Sequence, residues 1–174
     1  MRIKTIINRF RFHLVNHLLA GTDRYALKRK LLMKTGVKIG RGTKIVGPFY
    51  CSGDLTIGED CWIGRDFTVH GNGSVVIGDR CDFGPEVALL TGGHEIGDRE
   101  RRAGTGVSYK ITIGNGVWVG ARATIYNNIN IGDSAVIAAC ACVRETVGND
   151  TMVGGVPAKP IMELSHEDTR LSAE

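Results

Sequence analysis

Residues 111–143 read ITIGNGVWVGARATIYNNINIGDSAVIAACACV, and the spacing of their apolar residues decides the fold. Ile113, Val119, Ile125, Ile131, Ile137 and Val143 fall six apart. The same step runs upstream through Ile39, Ile45, Cys51, Ile57, Ile63 and Val69, slips by two between residues 71 and 76, and resumes at Ile77, Phe83 and Leu89. All fifteen positions are apolar, and eight are followed by glycine. In a chain that is 43% apolar, fifteen such hits arise by chance on the order of three times in a million, so the repeat is structural.

A period of six fits neither a helix of 3.6 residues per turn nor a plain alternating strand. It fits short strands separated by tight corners, with each anchor pointing inward and glycine expected to relieve the backbone at the bend. Three such sides close a triangular coil of about 18 residues, and stacked coils pair their strands in parallel. Residues 37–150 then hold roughly six coils, a prism about 30 Å long. A β-sandwich would need turn signals every 8–12 residues instead. The fold class expected is an all-β solenoid.

Composition narrows the function. Glycine is 24 of 174 residues without a three-residue period, and proline is only 4, which excludes collagen and proline-rich disorder. Aromatic residues, at 6%, are too few for base-stacking platforms, so nucleic acid is not an expected partner. No apolar run reaches the ~18 residues of a membrane span, and charge interrupts the N-terminal segment too often for a signal peptide. The five cysteines (51, 61, 81, 140, 142) are odd in number and show no CxxC spacing, so buried free thiols in a reducing cytoplasm are expected. The net charge of +4 is divided: residues 1–34 carry nine basic residues and one acid, residues 35–174 carry 13 and 17.

The chain therefore divides into a helical segment over 1–36, a solenoid over 37–164 and a polar tail over 165–174. In the first, Ile3, Ile6, Ile7, Phe10, Leu14 and Leu18 form an apolar stripe ended by Gly21. Asp23 is placed to cap a second helix through Met33, with Gly36 just past its end. Ile3, Ile6, Ile7 and Phe10 are expected to pack on the prism and cover its first open edge, with Phe12, Val15 and Leu19 widening the arc. Flanking Arg and Lys leave peripheral contact with an anionic membrane as an addition. A short helix is expected around Ile161–Leu164.

Chemistry belongs where the repeat is interrupted. The main interruption, 92–110, follows Thr91, opens with Gly92-Gly93-His94-Glu95 and is polar and glycine-rich. Histidine is a base matched to neutral pH, able to take a proton from a hydroxyl. His94 is one of two histidines within the coils; the other, His70, reads as a turn residue. On spacing alone, His94 is either a general base or a solvated loop residue.

The six-residue repeat, TGGHEIGDRERRAG, IGNGVWVGARATI, INIGDSAVIAACACV and VGGVPAKP together resemble the left-handed β-helix (hexapeptide-repeat) acyltransferases, in the branch of the galactoside and maltose acetyltransferases and the capsule or exopolysaccharide O-acetyltransferases. The match covers about residues 37–164. The resemblance implies a left-handed parallel β-helix, acetyl transfer from acetyl-CoA to a hydroxyl of a saccharide or glycoconjugate precursor, and a homotrimer with sites between neighbouring prisms. It implies no metal. His94, 24 residues before Trp118, falls on the family's catalytic histidine. It would act as general base, with Glu95 a candidate to orient it and a backbone amide to steady the oxyanion. Pantetheine and nucleotide contacts carry over onto Ala121, Ala139, Arg144 and Lys159, and acceptor contacts fall to Asp66 and Trp118. The chain departs from the family pattern at Gly64-Arg65-Asp66, where Asn-x-Asn is common, at Glu95, where proline is common, at Arg144-Glu145 and at Met162. Other readings stay open: N-acetyl transfer to an amino sugar, or a non-catalytic solenoid binding module. The γ-type carbonic anhydrases share the solenoid but need three histidine ligands, and only His70 and His94 lie in the coils.

Overall fold

The computed structural model describes residues 2–165; the expected polar tail lies, beyond Ser165, outside them. Three parallel sheets form the walls of a prism. The first face stacks Lys38–Ile39, Asp54–Ile57, Ser74–Ile77, Lys110–Ile113 and Ile129–Ile131; the second stacks Lys44–Ile45, Trp62–Ile63, Asp82–Phe83, Trp118–Val119, Val136–Ile137 and Thr151–Gly154. The third stacks Phe49–Cys51, Phe67–His70, Ala88–Leu90, Thr124–Tyr126 and Cys142–Val143. Five complete coils result. A sixth begins where Val147 bridges Ile131.

The burial pattern explains the period. Of the fifteen six-step positions, all but the half-buried Cys51 are buried, and so is the residue two before each one. Each side thus sends an i, i+2 pair inward, as a strand must, and then turns. Phe49 stacks on Phe67 of the next coil with ring centroids 5.7 Å apart, and Phe67 meets Phe83 edge-on at 5.3 Å. Cys61 and Cys81 fill the interior beside a corner as free thiols, Sγ donating to the Gly78 and Gly114 carbonyls at 3.2 and 3.1 Å. Cys51 and Cys142 are half-buried and Cys140 is exposed, so burial holds for only part of the cysteine set. Burial pushes the Cys51 thiol up to about 11, which keeps it protonated and unreactive near neutrality.

The corner glycines do a different job from the one expected. The left-handed conformation falls two residues later, on Asp60, Asp66, Arg80, Glu86, Arg122 and Ser134 (φ 53–62°). The glycines themselves are needed for contact between coils. A Cβ on Gly64 would lie 2.6 Å from the Gly84 carbonyl carbon, and one on Gly78 would lie 2.6 Å from the Gly114 oxygen. A second device runs up the corner between the first and second faces. The side-chain oxygens of Asp79, Asn115, Asp133 and Asn149 accept the backbone N–H of Glu59, Asp79, Asn115 and Asp133, at 2.6–3.0 Å. Each coil therefore satisfies an N–H of the coil before it.

The N-terminal helix α1 (Arg2–His13), a π-helical turn (Leu14–Leu18) and helix α2 (Tyr25–Met33) cover the first coil. Of the residues expected to cover the coil, Phe12, Val15 and Leu19 do so and Ile6, Ile7 and Phe10 do not; the side chain of Ile3 lies outside the description. Val15, Leu19 and Leu32 are buried, and Phe12 and Leu31 pack on the core. Ile6, Phe10 and Leu18 are 61–71% exposed, and Ile7 is also exposed. The reason is backbone pairing as well as apolar fit. Asn16 donates to the Phe49 carbonyl at 3.0 Å and accepts its N–H at 2.9 Å, closing the edge of the third face, and this fixes which side of the helix faces the coil. Val15 backbone lies close enough to Gly47 to leave no room for a Cβ, 2.6 Å from the Val15 oxygen. Asp23 does not cap α2: the N-cap is Arg24 at φ 49°, without a side-chain bond, and Asp23 pairs with Arg24 at 3.8 Å. Lys28 is buried, its Nζ donating to the Gly21 carbonyl at 2.5 Å, and desolvation lowers its pKa. That cation belongs to the cap's interior and not to a basic surface.

At the other end, the expected short helix at residues 161–164 is a strand. Lys159–Glu163 runs antiparallel to Thr151–Gly154 and covers the last edge of the second face. Pairing satisfies backbone groups that a helix there would leave open on Thr151–Gly154.

Two outcomes test this account. Gly78→Ala should destabilise the fold by about 1–3 kcal/mol through overpacking, while Arg80→Gly, two residues on at φ 54°, should change stability by less than about 1 kcal/mol; urea unfolding of both variants checks the contrast. Leu32→Ala should cost about 2–5 kcal/mol, whereas Phe10→Ser should leave the melting temperature unchanged; a fall in the second variant equal to the first would reject the assignment of faces.

Candidate active site

The interruption leaves the prism at the corner between the third and first faces, after Ala88–Leu90, and returns at Lys110–Ile113. It folds as a hairpin, with Gly92–Ile96 antiparallel to Ala103–Ser108. Asp98 shapes the tip, its carboxylate accepting the N–H groups of Glu100 and Arg101 at 3.0 and 2.9 Å. The ladder is irregular between His94 and Ile96, where a bulge re-aims the strand. Gly97 and Gly104 meet there across the hairpin: a Cβ on either would lie 3.0 Å from the other's Cα.

That crossing places the Gly104 carbonyl 2.9 Å from His94 Nδ1. A carbonyl only accepts, so Nδ1 carries the hydrogen and Nε2 keeps its lone pair. The orienting group is therefore a backbone carbonyl from the opposite strand, in the role for which Glu95 was a candidate. Glu95 is exposed.

His94 lines a pocket of about 440 Å³ at the base of the hairpin. Leu90 forms part of its floor, Val107 and Ser108 come from the returning strand, and Asn72 and His70 come from the coil below. Sequence reasoning missed His70 as a site residue. It ends the third-face strand Phe67–His70, and its ring packs against Tyr50 at 4.8 Å between centroids. The available signal was the two-residue slip in the repeat directly after it, which marks a wider corner stacked beneath the hairpin.

The other expected residues are placed elsewhere on the protomer. Ala121 and Ala139 stack at the corner between the second and third faces, where Cys140 N–H donates to the Ala121 carbonyl at 2.8 Å. Asp66 sits on that same corner in an earlier coil, paired with Arg65 at 3.3 Å. Trp118 points outward from the second face and is exposed. None of these lines the His94 pocket; the width of the third face separates the two corners. Arg144 and Lys159 do come together, on opposite oxygens of Glu145 at 3.8 and 3.7 Å, near the far end of the prism. Their guanidinium and ammonium groups are exposed and share one carboxylate, so the cluster keeps a net positive charge able to meet a phosphate. Among the described residues, no group of three or more His, Cys, Asp or Glu is placed to hold a metal ion, and no helix is long and apolar enough to cross a membrane.

Residues 110–145 match the family model described as bacterial transferase hexapeptide (six repeats). The chain is 29% identical over 143 residues to the galactoside O-acetyltransferase of Escherichia coli K12, covering 81% of this chain and 70% of that protein. Its fold is similar to that of a hexapeptide-repeat-containing acetyltransferase from Vibrio cholerae, with a TM-score of 0.80 and 26% identity over 94% of this chain and 92% of the other. It is also similar in fold to a galactoside acetyltransferase in complex with coenzyme A, with a TM-score of 0.78 and 23% identity over 99% and 86% of the two chains.

Proposed function

We propose that the chain is a left-handed β-helix, hexapeptide-repeat acyltransferase, and that it moves acetyl from acetyl-CoA to a hydroxyl of a saccharide or glycoconjugate precursor, with His94 as general base; the hexapeptide match, the similarity to a galactoside O-acetyltransferase and the shared fold support this reading. The observation that carries this reading is the 2.9 Å contact between His94 Nδ1 and the Gly104 carbonyl, which reserves Nε2 for the acceptor. Nε2 takes the hydroxyl proton as the acceptor oxygen attacks the thioester carbonyl. The tetrahedral intermediate collapses, the C–S bond breaks, and the imidazolium returns its proton to the leaving CoA thiolate. The products are the acetyl ester and CoA, with no acyl-enzyme required.

Acetyl-CoA supplies the activated acyl group. The small side chains of Ala121 and Ala139 leave their backbone, apart from the Ala121 carbonyl that Cys140 N–H occupies, open to its amide-rich arm, and Arg144 and Lys159 meet its phosphate oxygens. The separation of the two corners within one protomer supports a homotrimer, in which Asp66 and Trp118 of one prism complete the His94 pocket of the next. O-transfer is favoured over N-transfer because an imidazole base suits a hydroxyl that must lose its proton to attack. The outward Ile6, Phe10 and Leu18 beside exposed Arg9 support peripheral contact with an anionic membrane, as an addition to the cap.

His94→Ala should keep the fold and the assembly while lowering kcat by ~10²–10⁴-fold; thioester consumption within a few-fold of the parent enzyme would reject the base. Lys159→Ala should weaken acetyl-CoA binding by about three- to tenfold, since an exposed charged contact is worth roughly 1 kcal/mol, and leave the acceptor KM unchanged. Calorimetry giving equal affinity for the two proteins would remove Lys159 from the site.

A further inference from the structure

The cap carries a charge imbalance on a surface that acetyl transfer leaves unused. Residues 1–34 hold nine basic residues and one acid, Asp23. Lys28 is buried and Arg24 is paired with Asp23, which leaves Arg9, Arg11, Arg29, Lys30 and Lys34 as the remaining cations with described side chains. Helical spacing sorts α2 into two sides. Lys28 and Leu32, four apart, face the coil, so Ala26, Lys30 and Met33 face away from it. With Arg29 and Lys34 they line a groove of about 490 Å³ that holds three cations, apolar contact from Ala26 and Met33, and no carboxylate. Arg29 is tethered at its edge, donating to the Gly40 carbonyl at 3.3 Å, and Arg11 of α1 donates to the Lys34 carbonyl at 2.9 Å, which joins the two helices. The same division holds on α1. Phe12 packs on the core and Asn8 donates to the Thr35 carbonyl at 3.4 Å, while Ile6 and Phe10 stand out on the other side beside exposed Arg9. Outward apolar side chains and outward cations therefore share the side of the cap turned away from the prism.

A second copy of the same face is a poor occupant, because pairing two such surfaces sets like charges against each other. Apolar side chains that project from helices and are ringed by cations match a bilayer with anionic headgroups over an acyl region. We propose that the outward side of α1 and α2 docks on an anionic phospholipid bilayer, with Ile6 and Phe10 entering the acyl boundary and the groove of Arg29, Lys30 and Lys34 holding a lipid phosphate. This docking rests on the peripheral membrane contact proposed above and adds to it a headgroup site on α2 and a defined orientation. The first coil lies nearest the membrane, and the His94 hairpin departs after the third coil, about 14 Å further along the stack. The guanidinium and the two ammonium groups supply the donors and the countercharge that a phosphate needs, and Met33 meets the apolar chain below it.

The test is co-sedimentation of the full chain, at about 0.1 M salt, with vesicles of phosphatidylcholine alone and of phosphatidylcholine with about one-third phosphatidylglycerol. Partition should be at least tenfold higher onto the anionic vesicles. Lys30→Gln with Lys34→Gln should lower it by about tenfold, and so should Ile6→Ser with Phe10→Ser. Arg99→Gln with Arg101→Gln, which removes the same charge from the exposed hairpin tip, should leave it within twofold of the parent. All six substituted side chains are exposed, so unchanged melting temperatures are expected and guard against misfolding. Phe10→Trp should be quenched by brominated acyl chains more strongly than the parent. An α2 double variant within twofold of the parent, or a hairpin-tip variant that falls as far as the α2 variant, would overturn the headgroup site while leaving contact through α1 standing. A parent chain that ignores anionic vesicles would overturn both. Self-association without vesicles that is lost in Ile6→Ser with Phe10→Ser would give the face to a second copy and likewise overturn the docking. Turnover of a free, unanchored acceptor should be equal in all these variants, so acetyl transfer stands or falls on His94→Ala alone.

Discussion

The fold depends on how closely one coil's backbone can lie on the next at the corners. There is no room for a Cβ between Gly64 and the Gly84 carbonyl, or between Gly84 and the Ala121 amide nitrogen, 2.6 Å away in each case. With that approach allowed, parallel strands pair in register on all three faces and the i, i+2 pairs stack into one continuous core. The Asp and Asn ladder at the first corner then uses an N–H of each coil that the turn would otherwise leave unbonded. The turn itself demands left-handed backbone at residues such as Arg80 and Glu86. Each such residue costs roughly 1 kcal/mol, which core burial on the scale of the buried Phe49, Phe67 and Phe83 offsets.

Both ends of the stack meet the same difficulty, a row of unpaired backbone groups, and solve it by different means. At the first coil a side chain substitutes for a strand, Asn16 giving Phe49 both of the bonds a neighbouring residue would give. At the last, the chain turns back as Lys159–Glu163 and pairs antiparallel. This return strand also fixes Lys159 beside Glu145, so the device that ends the sheet also positions a proposed phosphate contact.

What was legible in the sequence was whatever repeats. The anchors, the coil number and the break at residues 92–110 follow from a pattern that every coil restates. What was not legible depends on a single contact made once. Ile6 and Phe12 are equally apolar, and only the Asn16 bonds decide which side of the helix faces the coil. The role of the glycines was misread because a tight turn and a close approach both select glycine, and the positive φ falls two residues later. Residues 159–163 carry no pattern of their own, and the strand there is templated by Thr151–Gly154. His94 stood out because it interrupts the repeat. His70 did not, because its place in the pocket is created by a hairpin that departs twenty residues later and folds back over it.

The hairpin that carries His94 leaves one corner and returns to the same one. Ser74–Ile77 before it and Lys110–Ile113 after it pair residue for residue, Ser74 with Lys110 and Ile77 with Ile113, as they would if a two-residue turn joined the coils. The excursion is therefore invisible to the walls: its length and sequence enter no strand register and displace no core residue. Such an arm is free to vary by insertion, deletion or exchange on evolutionary timescales while the scaffold stays constant. The prism behaves as a chassis with one socket. Residues around His94 can therefore change without moving the corner that holds Ala121 and Ala139 or the cluster of Arg144 and Lys159 at the far end.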